Sequence, residues 1–405
     1  MKEKTLNTVH TIRRRWIMKK VTLLAVLTAI FVVALGMAAV AGPSFKPSLY
    51  GYIKLDGSYD QNLTSHGNFV MWVQQRENAQ DDEQFNMTHK QSRFGFNLKG
   101  EGYGNVNVGA KAEVDLYGAG GGENKAEFLL RHAYFWVESN GFKLLAGQNW
   151  DMVSPLNPST LNYAVLWGCG NLGYRRPQVS LWYNFPAGNQ FDVTIGAGAF
   201  RNIGDDLISL SLAAGGESAD GADDGTDSGI PNAQGIFDCK YSWAEKGYFQ
   251  FGVSGLWGQL KAETDAGNSA DYESWAYAGH FQLAFPQGFG FSGEYYTGQN
   301  TGGFNGGIGL ASTVDGVEAK GGWVSAWAPV SPKFKVSAGY GFDDPEDNDI
   351  ADNTRAKNTC YYGNIVYTIV PQASVGLEVA QWETEFKAAD AAKNLRVQSS
   401  FMLNF

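Results

Sequence analysis

The last stretch of the chain alternates strictly. Val397, Ser399, Phe401, Leu403 and Phe405 share one parity, and Arg396, Gln398, Ser400 and Asn404 share the other, broken only by Met402. Successive side chains of a β-strand point to opposite faces, so this pattern predicts a strand with one apolar and one polar side. The same alternation recurs upstream. Phe94, Phe96 and Leu98 oppose Arg93, Asn97 and Lys99; Phe191, Val193, Ile195, Ala197 and Ala199 oppose Asp192 and Thr194; Phe334, Val336, Ala338, Tyr340 and Phe342 oppose Lys335 and Ser337. Period-two reading of the whole chain predicts sixteen strands, at 48–60, 86–99, 104–117, 126–139, 142–152, 173–185, 190–201, 233–243, 247–262, 272–285, 289–299, 317–329, 334–342, 358–370, 373–387 and 394–405.

The connections carry a second regularity. Links after even-numbered strands are short, such as Asn140-Gly141 and Pro371-Gln372, whereas those after odd-numbered strands are mostly long (61–85, 118–125, 153–172, 202–232, 263–271, 300–316, 343–357), with only 388–393 brief. Short turns on one side and long loops on the other are the plan of a transmembrane antiparallel β-barrel with both termini on the short-turn, periplasmic side. A soluble β-sandwich alternates too, but has no such parity in its connections. In a membrane barrel the apolar face meets lipid and the polar face lines a wet lumen. Aromatic residues at strand ends (Trp136, Phe142, Trp150, Phe185, Phe285, Phe289) fit interfacial girdles, although ordinary strand-end packing would use the same residues.

Composition agrees. The 405 residues include 51 Gly, 25 Phe, 19 Tyr and 12 Trp, yet mean hydropathy is below zero. Apolar groups must therefore sit in short alternating segments rather than long helices. The exception lies at the start. Arg13, Arg14, Arg15, Lys19 and Lys20 precede an apolar run from Val21 to Val40 that closes on Ala39-Val40-Ala41, so residues 1–41 read as a cleaved signal peptide, with 1–17 pointing to a start codon placed too early. An uncleaved anchor is the alternative. Removing 1–41 takes away seven basic and one acidic side chain and leaves 24 basic and 40 acidic ones, a net charge of about −16 that disfavours nucleic acid as a partner. Cys169, Cys239 and Cys360 have no metal spacing. On an oxidising export route they allow at most one intrachain disulfide, of a pairing the sequence leaves open.

Most long loops are acidic, with Glu217, Asp220, Asp223, Asp224 and Asp227 in one and Asp343, Asp344, Glu346, Asp347 and Asp349 in another. Their spacing does not fit an EF-hand, and neither metal nor cofactor is expected; solvated faces, or divalent bridges to lipid phosphates, account for them. The third long loop differs. No charge lies between Asp151 and Arg175, while Leu156, Leu161, Tyr163, Val165, Leu166 and Trp167 are present. Such a loop is poorly placed in water. It is expected to fold into the lumen as a constriction, with packing against a neighbouring subunit as the alternative.

On the lumen parity lie Arg93, Arg131, Arg176 and Arg396, joined by Lys54, Lys111 and Lys335. Guanidinium groups stay charged and grip carboxylates by paired bonds, so these residues are the candidate anion-selecting constriction. Alternatively they simply balance the wall acids Asp56, Glu113, Asp115, Asp192, Glu294 and Glu378. Of the neighbours Arg175 and Arg176, alternation sends only Arg176 inward. Enzyme function is set aside. Among the five histidines His10 leaves with the signal, His66 lies in a loop and His132 falls on the lipid parity, and none sits in a nucleophile motif.

From Leu49 to about Tyr183 the chain resembles the DcaP-like porins, sixteen-stranded trimeric channels of Gram-negative outer membranes. The matching residues are Tyr50-Gly51-Tyr52-Ile53-Lys54-Leu55-Asp56, Gln91-Ser92-Arg93-Phe94-Gly95-Phe96, Leu130-Arg131-His132-Ala133-Tyr134, Gly147-Gln148-Asn149-Trp150 and Arg175-Arg176-Pro177-Gln178. Arg93, Arg131 and Arg176 fall on matching positions; Arg396 rests on periodicity alone. The helical N-terminal extension of some members has no counterpart, since only Gly42–Pro47 precedes the first strand. The resemblance implies a homotrimer passing small hydrophilic solutes, anionic dicarboxylates among them, with membrane lipids and lipopolysaccharide around it. A barrel plugged by its third loop, binding a surface partner through its acidic loops, is the alternative.

Overall fold

The computed structural model describes residues 45–75, 82–118, 126–186, 188, 190–203, 224–263, 269–311 and 316–405. The expected signal segment and the acidic residues Glu217, Asp220 and Asp223 lie outside them.

Seventeen antiparallel strand segments form one sheet: β1 (Phe45–Asp60), β2 (Gln84–Thr88), β3 (Arg93–Tyr103), β4 (Val106–Asp115), β5 (Leu129–Ser139), β6 (Phe142–Trp150), β7 (Arg175–Pro186), β8 (Phe191–Phe200), β9 (Asn232–Ala244), β10 (Gly247–Glu263), β11 (Ser269–Ala284), β12 (Gly290–Gln299), β13 (Glu318–Ser331), β14 (Phe334–Pro345), β15 (Arg355–Val370), β16 (Ala373–Phe386) and β17 (Ala389–Asn404). Both β2 and β3 pair with β1, at Asp56–Asp60 and Phe45–Tyr52 respectively, so they are one stave interrupted at 89–92. The barrel therefore has sixteen staves. It closes where β1 pairs with β17, Tyr52 opposite Asn404 through Asp60 opposite Arg396. Short turns follow local chemistry: Asn140 and Gly141 take φ of 50° and 83°, the left-handed pair that a two-residue hairpin requires.

Burial is inverted relative to a water-soluble protein. Along β1, Lys54, Asp56, Ser58 and Asp60 are all at most 5% exposed, while Ile53, Leu55 and Tyr59 are 38–47% exposed. Leaving such half-exposed apolar side chains in water forgoes roughly 0.6–1.4 kcal/mol each, a loss that lipid removes. The outward band continues through Phe94, Phe251, Val253, Tyr277, Tyr361 and Leu377.

Among the described residues, three connections lie in the interior. Residues 61–75, 151–174 and 300–311 pack inside the ring, where Val70, Val73, Leu166, Cys169, Trp323, Cys360, Tyr362 and Trp382 form an apolar cluster of loop and wall. A second cluster joins Phe69, Met71, Trp72, Tyr117, Tyr163, Trp167 and Ile308. All three segments lack Asp, Glu, Lys and Arg except for Asp151 at one root, so the absence of charge that marks the third loop is shared by two more.

Candidate functional site: a charged lumen wall beneath an inward loop

Wall carboxylates hold the inward loop by its backbone. Glu378 of β16 accepts from Thr160 Oγ1 (2.8 Å), Leu161 N (2.6 Å) and Asn162 N (3.3 Å). Glu294 of β12 accepts from Leu156 N (2.7 Å), Trp323 Nε1 (3.0 Å) and Ser154 Oγ. Lys54 Nζ and Gln398 Nε2 both donate to the Leu161 carbonyl at 3.1 Å. Ordered backbone needs such partners once it leaves water. Glu294 and Glu378 thus serve the loop, not the arginines. Of the four apolar loop candidates, Tyr163 and Trp167 are buried in the second cluster, and Leu156 packs against the first. Leu161 lies over β16, where a Cβ at Gly376 would meet its side chain at 2.8 Å. The first loop is tied in by Asn162, which donates to Val70 O (2.8 Å), and by Asn358, which donates to both Met71 O (2.7 Å) and Gly168 O (2.6 Å).

The seven candidate cations do not form one ring. Arg93, Lys111 and Arg131 converge on Glu113, with Arg93 Nε at 3.4 Å, Lys111 Nζ at 3.6 Å and Arg131 Nε at 2.8 Å; Arg131 Nη1 reaches Asp115 at 2.7 Å. The Tyr50 hydroxyl donates to Glu113 Oε2 (2.7 Å), and Tyr163 of the loop donates to Asp115 (3.0 Å), its hydroxyl kept protonated by burial. Elsewhere, Arg176 pairs with Asp151 at 2.8 Å over the Phe304 ring, and Arg396 pairs with Asp60 at 2.7 Å while donating to the carbonyls of Gly67 and Asn68. Lys54 pairs with Asp56 at 3.2 Å, and Lys335 lies exposed, 5.9 Å from the Trp327 ring. Arg176, Arg396 and Lys54 are structural cations that hold loop and wall together.

Two assignments by alternation are corrected. A β-bulge between Glu113 and Val114 shifts the pairing with β5, so that Glu113 opposes His132 and Val114 opposes Leu130. Arg131 and His132 then both turn inward, and His132 Nε2 lies 3.9 Å from Glu113 instead of facing lipid. Arg175 also lies on the lumen side together with Arg176. As the first residue of β7 it is freed from strict alternation, and its guanidinium stacks 4.7 Å from Trp150 and 4.4 Å from Tyr174, both packed against the second interior cluster. It is 2% exposed, and its three nitrogens lack a hydrogen-bond partner among the described residues. Trp150 takes a second guanidinium too, that of Arg131 at 5.9 Å. Around this indole and Glu113, among the described residues, four cations (Arg93, Lys111, Arg131, Arg175) face two carboxylates, Glu113 and Asp115. The side chains of Arg93 and Lys111 keep 23% and 26% of their surface open.

A closed barrel with an apolar exterior, a charged interior and inward loops defines an outer-membrane channel. The chain belongs to the Gram-negative porin family, whose profile matches residues 24–387. Its fold is that of the outer membrane channel DcaP of Acinetobacter baumannii, at a TM-score of 0.71 and 18% identity over 89% of this chain and 98% of that one. The anion-selective porin from Comamonas acidovorans (TM-score 0.55, 13% identity, 89% and 100% covered) and the trimer form of OmpT from Vibrio cholerae (0.53, 11%, 89% and 100%) share the architecture. No curated protein sequence matches the chain.

Proposed function

We propose that this outer-membrane channel is a passive diffusion porin for small hydrophilic solutes with a preference for anions such as dicarboxylates. The carrying observation is the excess of cations over carboxylates around Glu113 and Trp150, with Arg93 and Lys111 open to water. The net charge, −10 for the full chain and about −16 without residues 1–41, does not cancel this local field. Much of it sits in the long loops, and charges farther than about 8 Å are screened at physiological salt. Residues 153–172 act as the constriction that sets the size limit, and charge selection follows from the wall beside it.

Assembly as a homotrimer accords with the trimer form of OmpT, and the anion preference accords with the anion-selective character of the Comamonas porin. Membrane lipids cover the outward band, and lipopolysaccharide meets the acidic loops through divalent ions. Planar-bilayer recording under a KCl gradient tests the reading. Current steps in threes with an anion-selective reversal potential are expected; a cation-selective reversal overturns the anion preference. Silence from folded protein favours a barrel plugged by its three inward segments.

A further inference from the structure

Three cysteines lie on two sides of the barrel wall. Cys239 in β9 shares its parity with the outward Phe237 and sits opposite Val193 and the outward Phe251, while its neighbours Asp238 and Lys240 point inward. Asp238 meets His280 at 2.8 Å inside the ring. Cys360 in β15 has the opposite orientation. It shares its face with the buried Asn358 and Tyr362 and opposes the buried Trp382, while the adjacent Tyr361 is 61% exposed outward. Cys169 belongs to the inward loop. Both Cys169 and Cys360 are at most 1% exposed and sit in the same interior cluster.

Their proximity follows from one glycine. Gly341 of β14 is the cross-strand partner of Cys360. A Cβ on Gly341 would collide with the carbonyl oxygen of Cys169, so the loop lies flat on the wall one cross-strand step from Cys360. The glycine that Cys169 covers is thus about 4.5–5.5 Å, Cα to Cα, from Cys360, and both cysteines are free thiols in this structure. The Cys169 thiol also points toward β15. Its Sγ is 3.8 Å from the carbonyl oxygen of Asn358, two residues from Cys360 on the same face.

We propose that Cys169 and Cys360 are an oxidation site, forming an intrachain disulfide that ties the inward loop to β15, and that Cys239 stays a free thiol. The chemistry is thiol–disulfide exchange with an oxidising protein disulfide of the envelope. One cysteine thiolate attacks that disulfide and releases one of its sulfurs as thiolate. The second cysteine then displaces the other from the mixed disulfide. The new S–S bond has cost the chain two protons and two electrons, and the donor leaves as its dithiol. Burial pushes the Cys169 thiol well above its ordinary pKa, which starves the folded barrel of thiolate. The bond therefore forms while the loop is still docking.

The test counts thiols in full-length protein, isolated from outer membranes without reductant and also refolded with oxidised glutathione. Each sample is denatured and alkylated with iodoacetamide. One alkylated cysteine per chain is expected, Cys239, rising to three after reduction, with a non-reduced peptide pair spanning Cys169 and Cys360. Three free thiols in both preparations, or a linked peptide containing Cys239, overturn the proposal. Cys239→Ser, which leaves both interior thiols in place, is expected to keep the link and show no alkylation before reduction. Loss of the link in that variant overturns it equally.

Discussion

Arg93 and Arg131 converge on one carboxylate oxygen, Oε1 of Glu113, at 3.4 and 2.8 Å. The two are unequal. Arg131 is 4% exposed and spans Glu113 and Asp115, whereas Arg93 is 23% exposed, leans on the Tyr52 ring at 5.2 Å and keeps water contact. One guanidinium holds the wall together and the other addresses the solute path.

Arg93→Ala is accordingly expected to change selectivity and leave the barrel intact. A unit charge about 7 Å away in a water-like medium attracts an anion and repels a cation by about 0.6 kcal/mol each, so the anion-to-cation permeability ratio should fall about sevenfold. Reversal potentials under a KCl gradient measure this, and an unchanged ratio would remove Arg93 from the conduction path.

Arg131→Ala should fail differently. It strands two buried carboxylates, and breaking a buried pair from one side costs about 3–5 kcal/mol. The expected signature is a lower unfolding temperature of the heat-modifiable barrel band, together with a swing toward cations. A variant as stable as the parent would show that water compensates Glu113 and Asp115 without the guanidinium.

Glu378→Gln keeps the shape of the loop anchor and removes its charge. Charge-assisted bonds to Thr160, Leu161 and Asn162 become neutral or mismatched, a loss of about 1–3 kcal/mol in docking. Faster amide exchange at 160–162 and noisier open-channel current are expected. Quiet current with unchanged exchange would assign the loop's position to its apolar contacts instead.

The first loop should respond to acid. Burial lowers the His66 pKa from 6.5 to about 4, and its ring stacks on Phe69 with centroids 4.5 Å apart. Its folded value lies below the unfolded one, so the docked loop binds fewer protons than the undocked loop. Docking is at full strength above pH 6.5 and weakens progressively as pH falls toward 4. Amide exchange of Phe69–Val73 at a series of pH values reports this, and His66→Phe should flatten the response. A histidine titrating near its ordinary value in the folded protein would contradict the burial.

Much of this architecture was legible in the chain. Alternation placed all sixteen staves, because one face meets lipid and the other meets water along almost every strand. It failed where the backbone departs from regular pleating. The bulge opposite Glu113 turns Arg131 and His132 to the same side, and no residue type in 129–133 announces it. Arg175 escaped because alternation loses its hold at a strand's first residue. The break at 89–92 leaves no mark in the alternation for a related reason: Lys90 and Ser92 are buried there, which period two cannot register. Parity assigns a cation to a face, whereas its partners depend on shear between staves and on which loops come inside. That is why Arg176 and Arg396 looked like equals of Arg93 and turned out to serve the loops.

The inward loop springs from β6 and β7 yet fastens to Glu294 on β12, Gly341 on β14 and Glu378 on β16, across the ring from its roots. It therefore works as a strut. A sixteen-stave cylinder with a watery interior resists bending along its staves but yields easily to flattening, since hydrogen bonds between neighbours act as hinges. A cross-brace from one wall to the other fixes the cross-section against lateral pressure from the bilayer, and the width of the passage becomes a property of the brace as much as of the cylinder.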